Sequence, residues 1–350
     1  MNLSARAAFV LRNPHAAVAG ILRRSAGLMA RRYEAGLAWL LRRPAAQGAV
    51  WQALCADPLW TPQPNLTVGA EILSRVRAIS DPQGANRNLP HRWRAIFNEI
   101  RSLTAKDVDW AAGPVFLSFG AGDRNPIGLP LLAVLAGAAK GLVIEPGRLR
   151  PEVATATLQE TLWDVVRDPG AYGLYAADLG RLREALDADA LWRGDALGDV
   201  LAKGRIELMA TPGESAALED ESIDLVYSRS VLEHVLQIEA AMARLVRALR
   251  PGGIMFHDIS LDAHDANDPI SFYYAPRGQG ADAYSGLNFW RLGDYVALFE
   301  SLGCSVEIAW TETIAPSLID RARLVPRFAN RTDDDLRTTR AKLLVRKPRE

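Results

Sequence analysis

The sequence predicts an α/β fold with a seven-stranded, mostly parallel sheet, helices on both faces and a helical extension at the N-terminus. Two observations support this prediction. From residue 113 onward, short apolar segments alternate with helical segments, which is typical of a parallel sheet covered on both sides. The first apolar segment also runs directly into Gly120-Ala121-Gly122-Asp123, the kind of turn that joins a strand to a helix in such sheets.

The apolar segments predict seven strands, over residues 115–120, 141–146, 205–209, 223–228, 254–260, 305–310 and 341–346. Helical periodicity between them predicts helices over 126–139, 238–249 and 291–302, and two or three helical pieces within 148–203. Ligands of such sheets bind beyond the carboxyl ends of the strands, so the residues that follow each strand are the candidate site.

Residues 1–112 are predicted to form the N-terminal extension, and residues 113–350 the sheet domain. Within the extension, apolar residues recur at helical spacing over 15–43, with Arg24, Arg31 and Arg42 on the opposite face. This basic amphipathic helix either packs on the main domain with a solvated arginine face or docks on a membrane surface or a protein partner. A second helix is predicted over 91–105.

Composition excludes several classes of protein. The 41 basic and 41 acidic residues give no net charge, so no nucleic-acid partner is predicted. The two cysteines imply no disulfide framework and fit a reducing cytosol. No apolar run reaches the ~18 residues that a transmembrane helix requires. A cytoplasmic protein is therefore expected, with membrane association through the basic helix left open.

The glycine turn and an acid further along point to a ligand. Gly120 and Gly122 leave backbone N–H groups unobstructed at a helix N-terminus. Glu145 ends the second strand, where a carboxylate can accept both hydroxyls of a ribose. Together they indicate an adenosine-containing cofactor. Arg124 stands in the region of the third glycine of a dinucleotide fingerprint, which favours a ligand without phosphates.

The second half of the chain contains a more specific pattern. An acid opens the strand Asp224–Ser228, "Leu-Glu-His-Val" follows at 232–235, and "Arg-Pro-Gly-Gly" at 250–253 ends a helix and starts the next strand. With these residues, the chain resembles class I S-adenosylmethionine-dependent methyltransferases over roughly 113–347. The resemblance implies a Rossmann-like domain that binds S-adenosyl-L-methionine.

The resemblance also implies roles for individual residues. Gly120 and Gly122 would lie under the methionine part of the cofactor, Asp123 would orient its amino group, and Glu145 would hold the ribose. Glu214 matches the residue that contacts the adenine amine, with Ser215 assisting, and Ser228 and Arg229 fall beside the methyl donor. The full set of cofactor residues predicted in this way is Phe119, Gly120, Ala121, Gly122, Asp123, Glu145, Pro146, Glu214, Ser215, Ser228 and Arg229.

Two departures from the family pattern keep other functions open. Ser118 stands where the family usually has an acid, and Arg124 replaces the third glycine. Both changes motivate the alternative of a binding or scaffold protein that keeps the fold without catalysis. A nucleotide-linked oxidoreductase is a third alternative, which the missing glycine and the Pro-Gly-Gly segment oppose.

Histidines are the candidate catalytic residues. Methyl transfer to a hydroxyl needs an in-line approach and benefits from a general base, which near neutral pH is most often histidine. His264, in the loop after the fifth strand, ranks first, followed by His234 and then His257, which alternation can bury. The acids and imidazoles at 257–268 are of types that suit a divalent cation, but their spacing matches no ligand pattern, so no metal site is predicted.

The loop 261–288 is the predicted acceptor loop. Aromatic rings at 272–274 and 289–290, with Asn288, Arg277 and Arg291, either stack on a sugar or another polar ring or form a lid packed on the core. The run 257–303 is similar to family members among bacterial surface-glycan enzymes. The predicted acceptor is therefore a hydroxyl of a small molecule or a glycan.

Overall fold

The computed structural model describes residues 90–122, 125–147, 151–187, 190–191, 195–264, 268–274 and 286–349. The predicted basic helix 15–43 lies outside these residues. The chain divides into two compact units, and the elements described below belong to the second, Asn88–Asp187 with Ala196–Glu350. That unit begins before residue 113, so the predicted helix 91–105 belongs to the same unit as the sheet.

Within the described residues, one sheet of seven strands forms the centre of this unit. The strands are β1 (Val115–Phe119), β2 (Lys140–Ile144), β3 (Ile206–Met209), β4 (Ile223–Arg229), β5 (Leu249–Ser260), β6 (Ser305–Thr313) and β7 (Thr338–Arg346). Their order is β3-β2-β1-β4-β5-β7-β6. All neighbours are parallel except β7, which is antiparallel to both β5 and β6. The predicted seven-stranded, mostly parallel sheet is therefore confirmed.

The four helices predicted over 91–105, 126–139, 238–249 and 291–302 are present, to within three residues at each end. The described helices are α1 (Pro90–Leu103), α2 (Gly128–Ala136), α3 (Pro151–Arg167), α4 (Leu182–Ala185), α5 (Leu197–Val200), α6 (Ile238–Ala248), α7 (Leu292–Ser301), α8 (Pro326–Ala329) and α9 (Asp333–Arg337). Gly137 ends α2 in a positive-φ conformation that a side chain would disfavour. None of the described helices is long and apolar enough to cross a membrane.

Helices cover both faces of the sheet. On one face, the fully buried side chains of Met242 and Leu245 from α6 and of Phe299 from α7 pack against the strands in one apolar cluster. On the other face, Phe97 of α1 is fully buried, and Glu99 forms an ion pair with Lys342 of β7. Because both faces are covered, the central strands β1, β2 and β4 are mostly buried, whereas the edge strand β6 is mostly exposed.

Strand β5 begins earlier than predicted. Leu249 already pairs with Ile223, so the Pro251-Gly252-Gly253 segment lies inside the strand as an irregularity in its pairing with β4. Regular parallel pairing resumes at Ile254 opposite Leu225 and continues to Asp258 opposite Arg229. This register brings the ends of β4 and β5 to the same edge of the sheet as the ends of β1 and β2.

Candidate active site

A cavity of about 470 Å³ opens at the carboxyl ends of the parallel strands. Six of the eleven predicted cofactor residues line it, namely Phe119, Gly120, Gly122, Glu145, Pro146 and Glu214. The remaining lining residues follow β3 or β4 and were not predicted to contact cofactor: Pro212, Gly213, Ser230, Val231, His234, Val235, Leu236 and Gln237. The cavity therefore spans the tips of four neighbouring strands, β3, β2, β1 and β4.

The turn after β1 needs glycine for two different reasons. Gly120 has φ +69°, and a β-carbon there would come within 2.4 Å of the Val231 side chain, so neither the conformation nor the space admits a side chain. Gly122 has φ +81° but faces open space. The first glycine therefore permits close packing of β1 against the segment after β4, whereas the second leaves the cavity floor open.

Glu145 lies at the end of β2, facing the turn. Its side chain is largely buried, and its two carboxylate oxygens accept hydrogen bonds from the backbone N–H of Gly122 (2.6 Å) and of Gly147 (2.8 Å). Each carboxylate oxygen retains a free lone pair, so both bonds can coexist with ribose hydroxyls donated from the cavity. Glu145 thus ties the glycine turn to the second strand at the place where a ribose is predicted to lie.

The cavity wall formed by the segment after β3 packs closely against β1 through Gly213. A β-carbon at Gly213 would lie 2.4 Å from the ring of Phe119, so glycine lets the segment 212–215 pack directly on the end of β1. The neighbouring Glu214 opens a short 3₁₀ helix, Gly213–Ser215, and lines the cavity. The apolar side chains of Val231, Val235 and Leu236 form the other wall, which suits a flat nucleobase.

Four predicted cofactor residues do not line the cavity. Ala121 and Ser215 are adjacent in the chain to residues that line the cavity but do not line it themselves. Ser228 is buried, with its hydroxyl 2.7 Å from Nδ1 of His257, and Arg229 lies 3.5 Å from the Asp258 carboxylate. Asp123 lies outside the described residues.

The three predicted catalytic histidines occupy two different environments. His257 is fully buried inside β5 and stacked on Phe299 at a centroid distance of 5.4 Å. Burial lowers the pKa of His257 to about 3, so the ring is neutral at physiological pH. The structure thus gives His257 the core position that strand alternation allows, and it does not bring this residue to the cavity.

His234 and His264 lie together beside the cavity. Their rings are 5.0 Å apart, although 30 residues separate them in the chain, and His234 lines the cavity. His234 Nδ1 is 3.1 Å from the carbonyl oxygen of Gly286. His264 has φ +56° and is held by its own backbone N–H, which donates to the Asp262 carboxylate at 2.8 Å.

Glu233, which the sequence did not single out, completes this group. Its side chain is only 5% exposed, and one carboxylate oxygen lies 3.6 Å from Nε2 of His264. Glu233 is the principal cause of a raised pKa at His264; Asp262 adds to the shift, and partial burial of the ring opposes it. The sequence feature that could have identified Glu233 is its position in "Leu-Glu-His-Val", directly before the predicted catalytic residue His234.

The other acids near the fifth strand do not join this group. Asp258 is buried in a paired contact with Arg340, with both N···O distances 2.7 Å, on the opposite face of the strand from His257. Asp268 caps the following turn by accepting from the backbone N–H of Ile270. Asp265 lies outside the described residues. The predicted run of acids and imidazoles is therefore split between structural and surface roles.

The acceptor loop is anchored by residues that the sequence offered as sugar contacts. Asn288 is buried and donates to the carbonyl oxygens of Leu232 and Val235, and Tyr273 is buried and donates to Leu336. Of the predicted polar contacts, Arg277 lies outside the described residues.

Arg291, the other predicted sugar contact, is a buried structural cation. It is only 1% exposed and donates to the carbonyl oxygens of Leu261 (2.5 Å) and Asp335 (2.6 Å) and to that of Thr338. Its guanidinium also lies over the ring of Tyr273, 5.2 Å from the centroid. For the described residues, the lid alternative therefore fits this loop better than a polar sugar platform.

The strand order defines the chain as an α/β protein of the Rossmann-like class, and its glycine-and-carboxylate cavity is of a kind that suits a nucleoside. The family model described as "Methyltransferase domain" matches residues 174–257. The match spans β3, β4, α6 and most of β5, which includes the Asp224–Gly253 pattern and excludes the glycine turn.

Two curated relatives carry the name ubiquinone biosynthesis O-methyltransferase. The protein of Mesorhizobium japonicum is 29% identical over 204 residues, which is 56% of this chain and 65% of the relative. That of Sinorhizobium medicae is 32% identical over 88 residues, 24% of this chain and 36% of the relative. The chain thus matches less than two thirds of the length of either relative.

Solved structures are similar to the chain at low identity. An S-adenosylmethionine-dependent methyltransferase from Mesorhizobium loti is 16% identical, with a TM-score of 0.37, over 70% of this chain and 96% of that one. Residues 174–257 thus match a methyltransferase domain, and by this match and the curated relatives the chain is similar to the class I S-adenosylmethionine-dependent methyltransferases, whose cofactor is S-adenosyl-L-methionine.

Proposed function

We propose that the chain transfers a methyl group from S-adenosyl-L-methionine to a hydroxyl of a small molecule or a glycan. The observation that carries this proposal is one cavity with two chemically different ends. The glycine turn and Glu145 form one end, and His234, with Glu233 and His264 beside it, forms the other.

The residues of the first end fit the cofactor. The open turn at Gly122 admits the methionine part against the backbone, and Glu145 offers oxygen acceptors to the ribose hydroxyls. Glu214 and the apolar wall that includes Val231 and Leu236 suit the adenine ring. When bound, S-adenosyl-L-methionine supplies a methyl group already activated on a sulfonium, so the protein's task is to orient the acceptor and remove its proton.

The reaction end supports an oxygen acceptor. His234 and His264 are the two described histidines that lie beside the cavity in exposed positions, and imidazoles are suited to proton removal near neutral pH. The curated relatives are O-methyltransferases by name, which agrees with a hydroxyl acceptor. The glycan alternative rests on the similarity of 257–303 to surface-glycan enzymes, and the buried positions of Asn288 and Arg291 favour the small molecule over it.

Binding and turnover test the proposal separately. We expect isothermal titration calorimetry to detect S-adenosylhomocysteine binding to the full chain, and radiolabelled methyl transfer to a panel of phenolic and saccharide acceptors to yield a labelled ether. Binding without transfer to any acceptor would favour the non-catalytic scaffold. No binding at millimolar ligand would remove the cofactor site itself.

The scaffold alternative has one structural observation behind it. Ser118, which replaces the acid that the family usually carries, is buried inside β1. A hydroxyl in this place offers less negative charge to the cofactor's ammonium group than a carboxylate would. The affinity for S-adenosylhomocysteine measured above decides whether Glu145 and the glycine turn suffice without it.

A further inference from the structure

We propose that Glu233, His234 and His264 form a site for a divalent first-row transition cation such as Zn²⁺, Co²⁺ or Mn²⁺, with an open position toward the cavity. These three residues offer ligand atoms that all lie within 4.8 Å of one another. The role of the cation toward the acceptor rests on the proposed methyl transfer, whereas its binding does not.

The first support is the unpartnered carboxylate of Glu233. Its side chain is 5% exposed, and neither of its oxygens has a hydrogen-bond partner among the described residues. Burying a carboxylate without partners is costly, and buried charges are normally paired or coordinate metals. The nearest cationic candidate is His264, whose Nε2 at 3.6 Å is beyond hydrogen-bond distance. A cation between the two residues would satisfy both.

The second support is the orientation of His234. Its Nδ1 lies 3.1 Å from the carbonyl oxygen of Gly286, which can only accept, so Nδ1 carries the proton. The Nε2 atom is then left with its lone pair. Metal-binding histidines characteristically donate their other ring N–H to a carbonyl or carboxylate in this way. His234 is thus set in the tautomer that a cation requires.

The third support is the outer contact that holds His264. Asp262 accepts the backbone N–H of His264 at 2.8 Å and fixes the residue in its left-handed conformation. The same Asp262 oxygen lies 3.8 Å from His264 Nε2, which adds negative potential beside the site. A strained backbone maintained by a local hydrogen bond is a feature that functional sites accumulate.

The dimensions and ligand types select the class of cation. A tetrahedral site with bonds of about 2.1 Å separates its ligand atoms by about 3.4 Å, so small rotations of the two exposed imidazoles would close the site. Two imidazoles and one carboxylate suit Zn²⁺, Co²⁺ or Mn²⁺, whereas Mg²⁺ and Ca²⁺ prefer oxygen ligands. Three protein ligands leave a fourth position, which is the arrangement of catalytic rather than structural sites.

An acceptor hydroxyl at this open position would be more acidic than in water, because the cation stabilises its conjugate base. With both imidazoles bound to the cation, neither acts as the general base, and the O–H bond breaks with release of the proton to solvent. The C–O bond of the product forms as the C–S bond of the sulfonium breaks, and S-adenosylhomocysteine leaves with the electron pair on sulfur. No oxidant or reductant is required.

Titration of the metal-stripped full chain with Co²⁺ tests the site directly, because ligated Co²⁺ gains visible absorption. We expect one Co²⁺ per chain, displaced by Zn²⁺ and not by Mg²⁺. The variants Glu233→Gln, His234→Ala and His264→Ala should each weaken Co²⁺ binding by about 100-fold or more, because removing a ligand exceeds the effect of removing an outer-shell partner.

The control is Glu300→Gln, which removes an exposed carboxylate from α7 and should leave Co²⁺ binding unchanged. Circular dichroism and S-adenosylhomocysteine calorimetry on the same samples show whether each variant is folded and keeps its cofactor site. Absence of Co²⁺ and Zn²⁺ binding to the folded wild type would overturn the inference, as would binding that all three variants retain. Intact S-adenosylhomocysteine binding in that case would leave the proposed function standing.

Discussion

The two ends of the cavity differ in the groups that form them, because one consists mainly of backbone groups and the other of side chains. The cofactor end consists of backbone groups at Gly120 and Gly122 and one carboxylate, Glu145, bonded to the backbone. The reaction end consists of side chains, Glu233, His234 and His264, carried by two separate loops. A site made from backbone depends on local chain conformation, whereas a site made from side chains depends on which loops the fold brings together.

The largest expected effect breaks the cofactor end. Gly120→Ala forces a β-carbon to within 2.4 Å of Val231 at φ +69°, and should destabilise the protein by roughly 3 kcal/mol. Gly122→Ala has the same kind of backbone strain without a clash, and should cost only about 1 kcal/mol. Urea unfolding of both variants gives the two values.

A second substitution separates the clash from the strain. Val231→Ala removes the atoms that the new β-carbon would meet, so the double variant Gly120→Ala/Val231→Ala should recover part of the lost stability. Additive losses in the double variant would show that the close contact between β1 and the segment after β4 is not what selects glycine.

The next effect sharpens the role of the carboxylate. Glu145→Ala should weaken S-adenosylhomocysteine binding by ~1–3 kcal/mol, because hydrogen bonds between the charged carboxylate and the ribose are lost. Calorimetry measures this change. Glu207→Ala, which removes an exposed carboxylate from β3, provides the comparison and should have no effect. An affinity unchanged by Glu145→Ala would mean that this carboxylate only organises the glycine turn.

The third effect concerns the pH dependence of stability that buried His257 causes. The pKa of His257 is about 3 in the folded protein and near 6.5 when unfolded, so below pH 6.5 the unfolded state binds one more proton. Buried, neutral His257 therefore makes its full contribution to the free energy of unfolding above pH 6.5. That contribution is lost as the pH falls toward 3, by up to roughly 1.4 kcal/mol per pH unit.

Comparison with His257→Asn isolates this contribution. The variant keeps a polar partner for Ser228 and has no group that protonates in this range, so its free energy of unfolding should fall less steeply between pH 6.5 and 5 than that of the wild type. Urea unfolding at several pH values measures the two slopes. Parallel slopes would mean that the ring of His257 is protonated, or accessible to protons, in the folded state.

The smallest expected effect concerns the N-terminal segment. Deleting residues 1–45 should leave S-adenosylhomocysteine affinity unchanged, because the glycine turn and the strands that end at the cavity all lie within residues 115–229. Calorimetry on the truncated chain measures the affinity. Binding to vesicles with and without anionic lipid then tests whether the full chain binds a membrane that the truncated chain does not. If the truncated chain failed to fold, the N-terminal segment would be part of the core rather than a separate docking helix.

The contrast between the two ends also explains what the sequence could reveal. The sheet and its main helices were predictable from periodicity, and six residues that line the cavity followed from the glycine turn after an apolar run, the acid at the end of the second strand and the family resemblance. Glu233 was not singled out, because its significance depends on His264 approaching from a loop 31 residues away, which no local pattern records. Ser228 and Arg229 were predicted beside the methyl donor from the family resemblance, yet their side chains turn toward His257 and Asp258.

The buried guanidinium of Arg291 has a consequence for how new acceptor preferences could arise in this fold. It joins the backbone of Leu261, at the start of the acceptor loop, to that of Asp335 and Thr338 near the C-terminus. A lysine could not replace this planar fork of donors. Because its partners are backbone carbonyls, recombination that exchanged residues 262–290 alone would leave this anchor in place, so the loop could change its side chains without losing its attachment to the C-terminal segment.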